Sequence, residues 1–135
     1  MIIIDTGPLV ALFDRDDQYH KTCKKTFLSI SEPLITTWPI LTEVMYLLNF
    51  SSLAQELCFE FIVSGGLDIS SENSKHINRI YQLMKKYNDL PIDFADASLV
   101  ALAEERNITT VFTLDRKHFR IYKPKHRKAF NLLPK

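Results

Sequence analysis

Cysteine is scarce in this chain: Cys23 and Cys58 are the only two in 135 residues. Two thiols without zinc-ligand spacing are too few for a disulfide framework. They read as reduced thiols in a cytoplasmic protein, with a single bridge as the alternative. Long hydrophobic runs are missing as well. No stretch approaches the roughly 18 apolar residues that a membrane helix needs. The opening MIIID reaches a charge at Asp5 without a preceding basic segment, so it does not read as a secretory signal. There is no G-x-x-x-x-G-K-[ST] phosphate loop and no G-x-S-x-G elbow. The four histidines, His20, His76, His118 and His126, are scattered and read as surface or tail residues. No repeat, low-complexity segment or linker interrupts the chain. The last stretch, residues 116–135, contains no acid.

The remaining composition is ordinary, 46% hydrophobic and 24% charged, which suits one soluble globular domain over residues 1–135 with a real core. The formal net charge of +1 conceals an asymmetry. All sixteen acids lie at or before Asp115, whereas eight of the seventeen Lys and Arg residues follow it. The chain is an acidic body with a basic end.

Hydrophobic periodicity predicts alternating strands and helices. Ile2–Ile4 is a β-branched run fit for a buried strand, and Thr6-Gly7-Pro8 turns it into a short helix over Leu9–Phe13, with Thr6 as candidate cap. Tyr19–Ile30 reads as a helix, Leu34–Thr36 as a strand, and Pro39–Phe50 and Leu53–Val63 as helices. Ser51 and Ser52 separate those two, and Gly65-Gly66 stops the second. Leu67–Ile69 is a strand candidate. Ser71–Tyr87 reads as an amphipathic helix with Ile77, Ile80, Leu83 and Met84 inward. A further helix begins at Pro91 and ends near Arg106-Asn107, followed by a strand over Thr109–Thr113. Phe119–Tyr122 and Phe130–Leu133 read as short edge strands around a basic loop. This alternation predicts an α/β fold, a short central parallel sheet flanked by helices. Ligands in such sheets bind beyond the carboxyl ends of the strands, where Asp5 and Asp115 fall.

The stretch Pro91–Ala103, PIDFADASLVALA, organises the functional reading. Asp93 and Asp96 share a helix face, and from Ala97 to Ala103 only Ser98 is polar. Two carboxylates at the head of a buried helix are costly without positive charge nearby, yet no Lys, Arg or His lies between Lys86 and Arg106. An Arg from elsewhere in the fold or a metal ion must compensate. Capping accounts for Asp93 better than for Asp96, which would sit at the third helical position. Asp5 reads either as a site residue or as a turn or cap. Glu43 is the only charge between Glu32 and Glu56, on an apolar helix with Thr42, Tyr46 and Asn49 nearby on the wheel; it is either solvent-facing or a site residue. Asp115 closes a strand and has a turn reading too. Taken together, these acids are a hard-oxygen ligand set suited to Mg²⁺ or Mn²⁺, ions that assist phosphodiester hydrolysis.

Three segments then carry a resemblance: IIIDTGPLVALFDRDD, LTEVMYLL and DFADASLVALAEERNITTVFTLDRKHF. With them the chain resembles the PIN-domain family, most closely the small single-domain VapC-like toxins of bacterial toxin–antitoxin systems, over Ile2 to about Pro134. The resemblance implies a compact α/β fold and a Mg²⁺- or Mn²⁺-dependent ribonuclease site. By motif, Asp5, Glu43, Asp96 and Asp115 match the four family acids in order. Asp5, Asp96 and Asp115 would hold the metal, and Glu43 would bind a second ion or orient the attacking water. Thr113, in T-x-D, matches a family hydroxyl that supports the site; Asp93 and Thr6 are additional candidates. RNA is the implied substrate, cut to leave a 5′-phosphate and a 3′-hydroxyl. An antitoxin and a second copy of the chain are the implied partners. Independently of the resemblance, the basic end reads either as a solvated surface that balances the acidic body or as a phosphate-binding rim formed by Arg116 and Lys117 beside Asp115, with Lys123, Lys125, Arg127 and Lys128 joining it or facing a partner. A Mg²⁺-dependent phosphatase or phosphotransfer domain is one alternative, although Asp5 is followed by Thr-Gly rather than a second Asp. A non-catalytic RNA-binding protein is the other.

Overall fold

The structure, a computed structural model, describes residues 1–71, 74–90 and 92–135. Five short strands form one sheet: β1 (Ile2–Ile4), β2 (Leu34–Thr36), β3 (Asp68–Ile69), β4 (Thr110–Phe112) and β5 (Asn131–Leu133). Every pairing is parallel, and the order across the sheet is β3-β2-β1-β4-β5. Ile3 pairs with Ile35 on one side and with Val111 on the other. Ile3, Ile35 and Val111 are enclosed, as is Phe112 at the end of β4, in keeping with the apolar character of the central strands.

Seven helices among the described residues flank the sheet: α1 (Thr6–Phe13), α2 (His20–Ser29), α3 (Trp38–Leu47), α4 (Ser52–Val63), α5 (Lys75–Lys86), α6 (Phe94–Arg106) and α7 (Arg116–Phe119). The chain adds β2 and β3 on one side of β1, then crosses back to add β4 and β5 on the other. The crossover direction therefore reverses between β1 and β4. A crevice opens at such a switch point, at the carboxyl ends of the two strands.

Local chemistry explains the helix ends. Ser51 caps α4 by accepting the Ala54 N–H at 3.1 Å. Gly65, at φ 90°, follows its C-cap; the Gly65 and Gly66 N–H groups donate to Ile62 and Phe61. That paired closure needs a left-handed residue, which glycine adopts freely. Helix α6 is buried on most sides, from Ala97 to Ala103 without a break, as its composition requires.

Three expectations are corrected. Asp5, not Thr6, caps α1, because its carboxylate accepts the Thr6 N–H and the helix starts a turn earlier than the apolar run suggests. Phe119–Tyr122 is no strand: Phe119 ends α7, and the Ile121 and Tyr122 N–H groups bond back to the His118 carbonyl. Ile77 is 52% exposed rather than inward, because α5 packs through Ile80 and Leu83. Glu72 and Asn73, within the expected Ser71–Tyr87 helix, and Pro91, at the expected start of the next, lie outside the described residues.

Helices α5 and α6 are joined by a fork. Arg79 Nε and Nη2 donate to Glu104 Oε1 and Oε2 at 2.6 and 2.8 Å, and the Lys125 N–H adds a third bond to Glu104. Burial works against the Glu104 charge, but these donors win and hold its carboxyl below the usual value. The pair's contribution is present above pH 4.5 and lost as pH falls through the lowered value in the folded protein. Arg79→Ala should therefore cost about 2–3 kcal/mol at neutral pH, and the difference from wild type should shrink in acid. Urea melts at pH 7 and pH 3.5 measure both.

Candidate active site

Asp5 leaves the carboxyl end of β1 and is buried. Its Oδ1 accepts the Thr6 N–H at 2.8 Å, and its Oδ2 accepts the Thr113 hydroxyl at 2.7 Å. Thr113 follows β4, beside β1, so the hydroxyl spans the switch point between the two strands. The same Thr113 oxygen accepts the Asp115 N–H at 3.0 Å. One threonine thus fixes both Asp5 and the turn that carries Asp115.

Glu43 projects from α3 and is half-buried; its Oε2 accepts the Thr6 hydroxyl at 3.0 Å. The solvent-facing reading of Glu43 therefore gives way to an inward one. Asp93 caps α6 by accepting the Asp96 N–H at 2.8 Å. Asp96 enters from the first turn of α6, where Tyr122 OH donates to its Oδ2 at 3.3 Å. The mouth of α6 is braced against β2 and α3 by a buried contact between the Thr37 and Ser98 hydroxyls at 2.7 Å.

The acids sense one another. Burial first, then the charges of Asp115 and Glu43, raise Asp5 to about 6 against its two hydrogen bonds. Burial, then Asp5, Asp93 and Asp115, raise Asp96 to about 8. Glu43 is raised by burial and by Asp93, against the Thr6 bond. Asp5, Glu43, Asp93, Asp96 and Asp115 thus form one electrostatically linked group drawn from the ends of β1 and β4 and from α3 and α6. Among the described residues no lysine or arginine contributes to these three shifts. The Arg considered from sequence as a possible partner is therefore not what compensates them.

Two members of the site were missed in the sequence. His118 Nδ1 lies 2.9 Å from both oxygens of Asp115, and its ring stacks on Tyr122 at 6.4 Å. Tyr122 is fully enclosed between Tyr87 and Phe119, with its hydroxyl on Asp96. The signal was one of spacing: His118 is three residues after Asp115, and Tyr122 four after His118.

The donor chemistry fits a hard divalent cation: several carboxylate oxygens, raised proton affinities and oriented supporting hydroxyls. Among the described residues no group of three or more acidic, histidine or cysteine side chains is placed to hold a metal ion as it stands. Of the other candidates, Lys117 is exposed and Arg116 is half-buried, its guanidinium donating to the Pro134 carbonyl.

The PIN-domain profile matches residues 2–124. The chain belongs to the PIN-domain family. Ribonuclease VapC26 of Mycobacterium tuberculosis is 27% identical over 135 residues, covering 98% of this chain and 100% of that protein. Among solved structures, Mycobacterium tuberculosis VapC20, described as a sarcin-ricin loop cleaving toxin, aligns with a TM-score of 0.75 at 19% identity, over 82% of this chain and 87% of that one. A toxin–antitoxin complex from Klebsiella pneumoniae aligns at 0.69 and 18% identity, over 88% and 90%. VapBC2 from Rickettsia felis, bound to a DNA fragment from its promoter, aligns at 0.67 and 17%, over 98% and 97%. These likenesses establish the PIN-like α/β fold and relatives among VapC-type toxin ribonucleases.

Two outcomes test this electrostatic picture. Asp96 carries a raised value when folded, so its protonated form is the stabilising one. That stability is complete below about pH 4 and is lost as pH rises towards about 8. In chelator, Asp96→Asn should melt higher than wild type at pH 8 by an amount on the order of 1 kcal/mol or more, and the gap should close towards pH 4. Asp93→Ser keeps a cap while removing a charge, so it should fold within about 1 kcal/mol of wild type. A loss of Mn²⁺ affinity in that variant, read by calorimetry, would assign Asp93 a part in cation binding as well.

Proposed function

We propose that this protein is a Mg²⁺- or Mn²⁺-dependent endoribonuclease, the toxin of a type II toxin–antitoxin pair, acting as a single domain over residues 1–135. The observation that carries the reading is the linked set of Asp5, Glu43, Asp96 and Asp115 at the β1–β4 switch point. The ribonuclease named among its relatives supports the choice of reaction.

In this reading Asp5, Asp96 and Asp115 hold the cation, directly or through water. The bound ion would supply Lewis acidity and an activated water for phosphodiester hydrolysis. Thr113 keeps Asp5 oriented, Tyr122 orients Asp96, and His118 orients Asp115. Glu43, held by Thr6, is placed to orient a water or to take part in a second cation site. Attack of water on phosphorus with departure of the 3′-oxygen, which takes up a proton, would leave a 5′-phosphate and a 3′-hydroxyl. A phosphotransfer domain is disfavoured, because Asp5 is followed by Thr6-Gly7 and not by a second acid.

The partner in this proposal is an antitoxin, with a second copy of the chain as a further one. An apolar hollow of about 510 Å³ opens between α2 and α4, lined by Phe27, Leu28, Leu53, Leu57 and Phe61, and none of the candidate acids lines it. Leu28, 72% exposed, and Leu53, 62% exposed, are the kind of surface that an antitoxin segment would cover. No helix among the described residues is long and apolar enough to cross a membrane.

Purified protein with Mg²⁺ or Mn²⁺ should cut single-stranded RNA, and EDTA should abolish cutting. Asp5→Asn and Asp96→Asn should each lower the rate at least about 100-fold while retaining a cooperative melt. Cutting that survives EDTA, or an Asp96→Asn rate equal to wild type, would remove the metal-hydrolysis reading. A folded protein that binds RNA and never cuts it would favour the non-catalytic alternative.

A further inference from the structure

Strand β5 is a sheet edge, and a groove of about 590 Å³ runs along it. Thr110 and Asn131 line one part; Leu133, Arg116, Arg120 and Lys135 also line it. Arg116 and Arg120 are one helical turn apart, joined by the Arg120 N–H to the Arg116 carbonyl at 3.0 Å, so they present a common side. The Arg116 guanidinium also donates to the Pro134 carbonyl, which draws the last residues against α7. A carbonyl does not neutralise a guanidinium, so that charge is retained. No side-chain acid lines the groove, and residues 116–135 contain none.

None of the candidate acids lines the groove, but its Leu133, Lys135 and Arg116 end lies at the carboxyl ends of β4 and β5, the side of the sheet from which Asp5 and Asp115 emerge. Leu133, in its lining, accepts the Thr113 N–H at 2.9 Å, and the Thr113 hydroxyl holds Asp5. Arg116 directly follows Asp115. A polyanion is repelled by the acids themselves, so a cationic approach that ends beside them has a clear electrostatic use. Lys117, also expected in the rim, is not part of the lining.

We propose that the β5-edge groove, through Arg120, Lys135 and Arg116, binds the phosphates of a single-stranded RNA and leads that strand to the acids. This rests on the nuclease reading for the fate of the strand, but its binding is measured without cleavage. Arginine forks suit phosphate oxygens, and Asn131 adds an amide at the rim. Contacts of this kind position a backbone without reading bases. The groove therefore binds RNA of different sequences alike.

The test is fluorescence anisotropy of labelled RNA oligonucleotides of unrelated sequence, in EDTA, across a salt series. Arg120→Gln/Lys135→Gln should weaken every oligonucleotide by about 10-fold at low salt and flatten the log–log salt slope by about 1, with an unchanged thermal melt. Lys21→Gln/Lys25→Gln, an equal charge loss on α2 outside the groove, should leave binding near wild type. Equal losses for the two pairs, an unchanged affinity in the groove variant, or no RNA binding by wild type would each overturn the groove. A charge-matched polyglutamate bound as tightly as RNA would mark a protein-facing surface and overturn it as well. Parallel cleavage assays with Mn²⁺ separate the two readings. Groove-dependent binding without metal-dependent cutting defeats the nuclease reading alone, and metal-dependent cutting with groove-independent binding defeats the groove alone.

Discussion

Negative charge gathered where two parallel strands end is the constraint around which this fold is arranged. Asp5 and Asp96 are forced towards their protonated forms by burial and by neighbouring acids, Asp115 and Glu43 for the first and Asp5, Asp93 and Asp115 for the second. Among the described residues no lysine or arginine contributes to their shifts. A protein that keeps such an arrangement bears a cost in stability, and the surrounding structure shows how it is borne. Asp5 is gripped at both oxygens, Glu43 at one, and Asp96 leans on a tyrosine packed among aromatic rings. Each grip fixes a carboxylate without cancelling its charge, which leaves it available to a cation.

The sheet makes the gathering possible. Because β1 and β4 are neighbours with opposite crossover directions, helices do not cover the crevice at their carboxyl ends. Asp5, Thr113 and Asp115 reach it from the strands, and α3 and α6 bring Glu43 and Asp96 across to it. Helix α6 reaches that position because almost its whole surface is small and apolar, so it sinks into the core and carries its acidic first turn with it.

Much of this was legible in the residues. The Ile2–Ile4 run, the isolated Glu43 and the apolar body after Asp96 each announce burial, and burial is what makes a nearby carboxylate informative. The Thr-x-Asp pair at 113 and 115 was legible as motif, and its meaning appeared only with the hydroxyl between Asp5 and the Asp115 backbone. The misreadings share a cause: local pattern loses to tertiary context. Phe119–Tyr122 alternates like a strand, but Asp115 caps a short helix there and the chain coils back through His118. Ile77 fits an inward stripe, but α5 lies on its neighbours by a different face. His118 and Tyr122 escaped notice because a lone histidine and a lone tyrosine carry no signal until packing places them on acids. The grouping of Arg116, Arg120 and Lys135 likewise depends on a tail folding back along an edge strand, which no spacing rule encodes.

The bond from Thr113 to Asp5 closes a separation of 108 residues. Asp5 takes the Thr6 N–H locally, but its second oxygen gains its partner only when β4 has docked against β1. The strand that completes the edge, β5, comes later still, and its Leu133 carbonyl secures the Thr113 backbone. Partial chains therefore carry the acids without their arrangement, and long-range closure is the slow, late event in assembling such a topology. Asp5 therefore acquires its long-range support late in folding, not with the local structure around it.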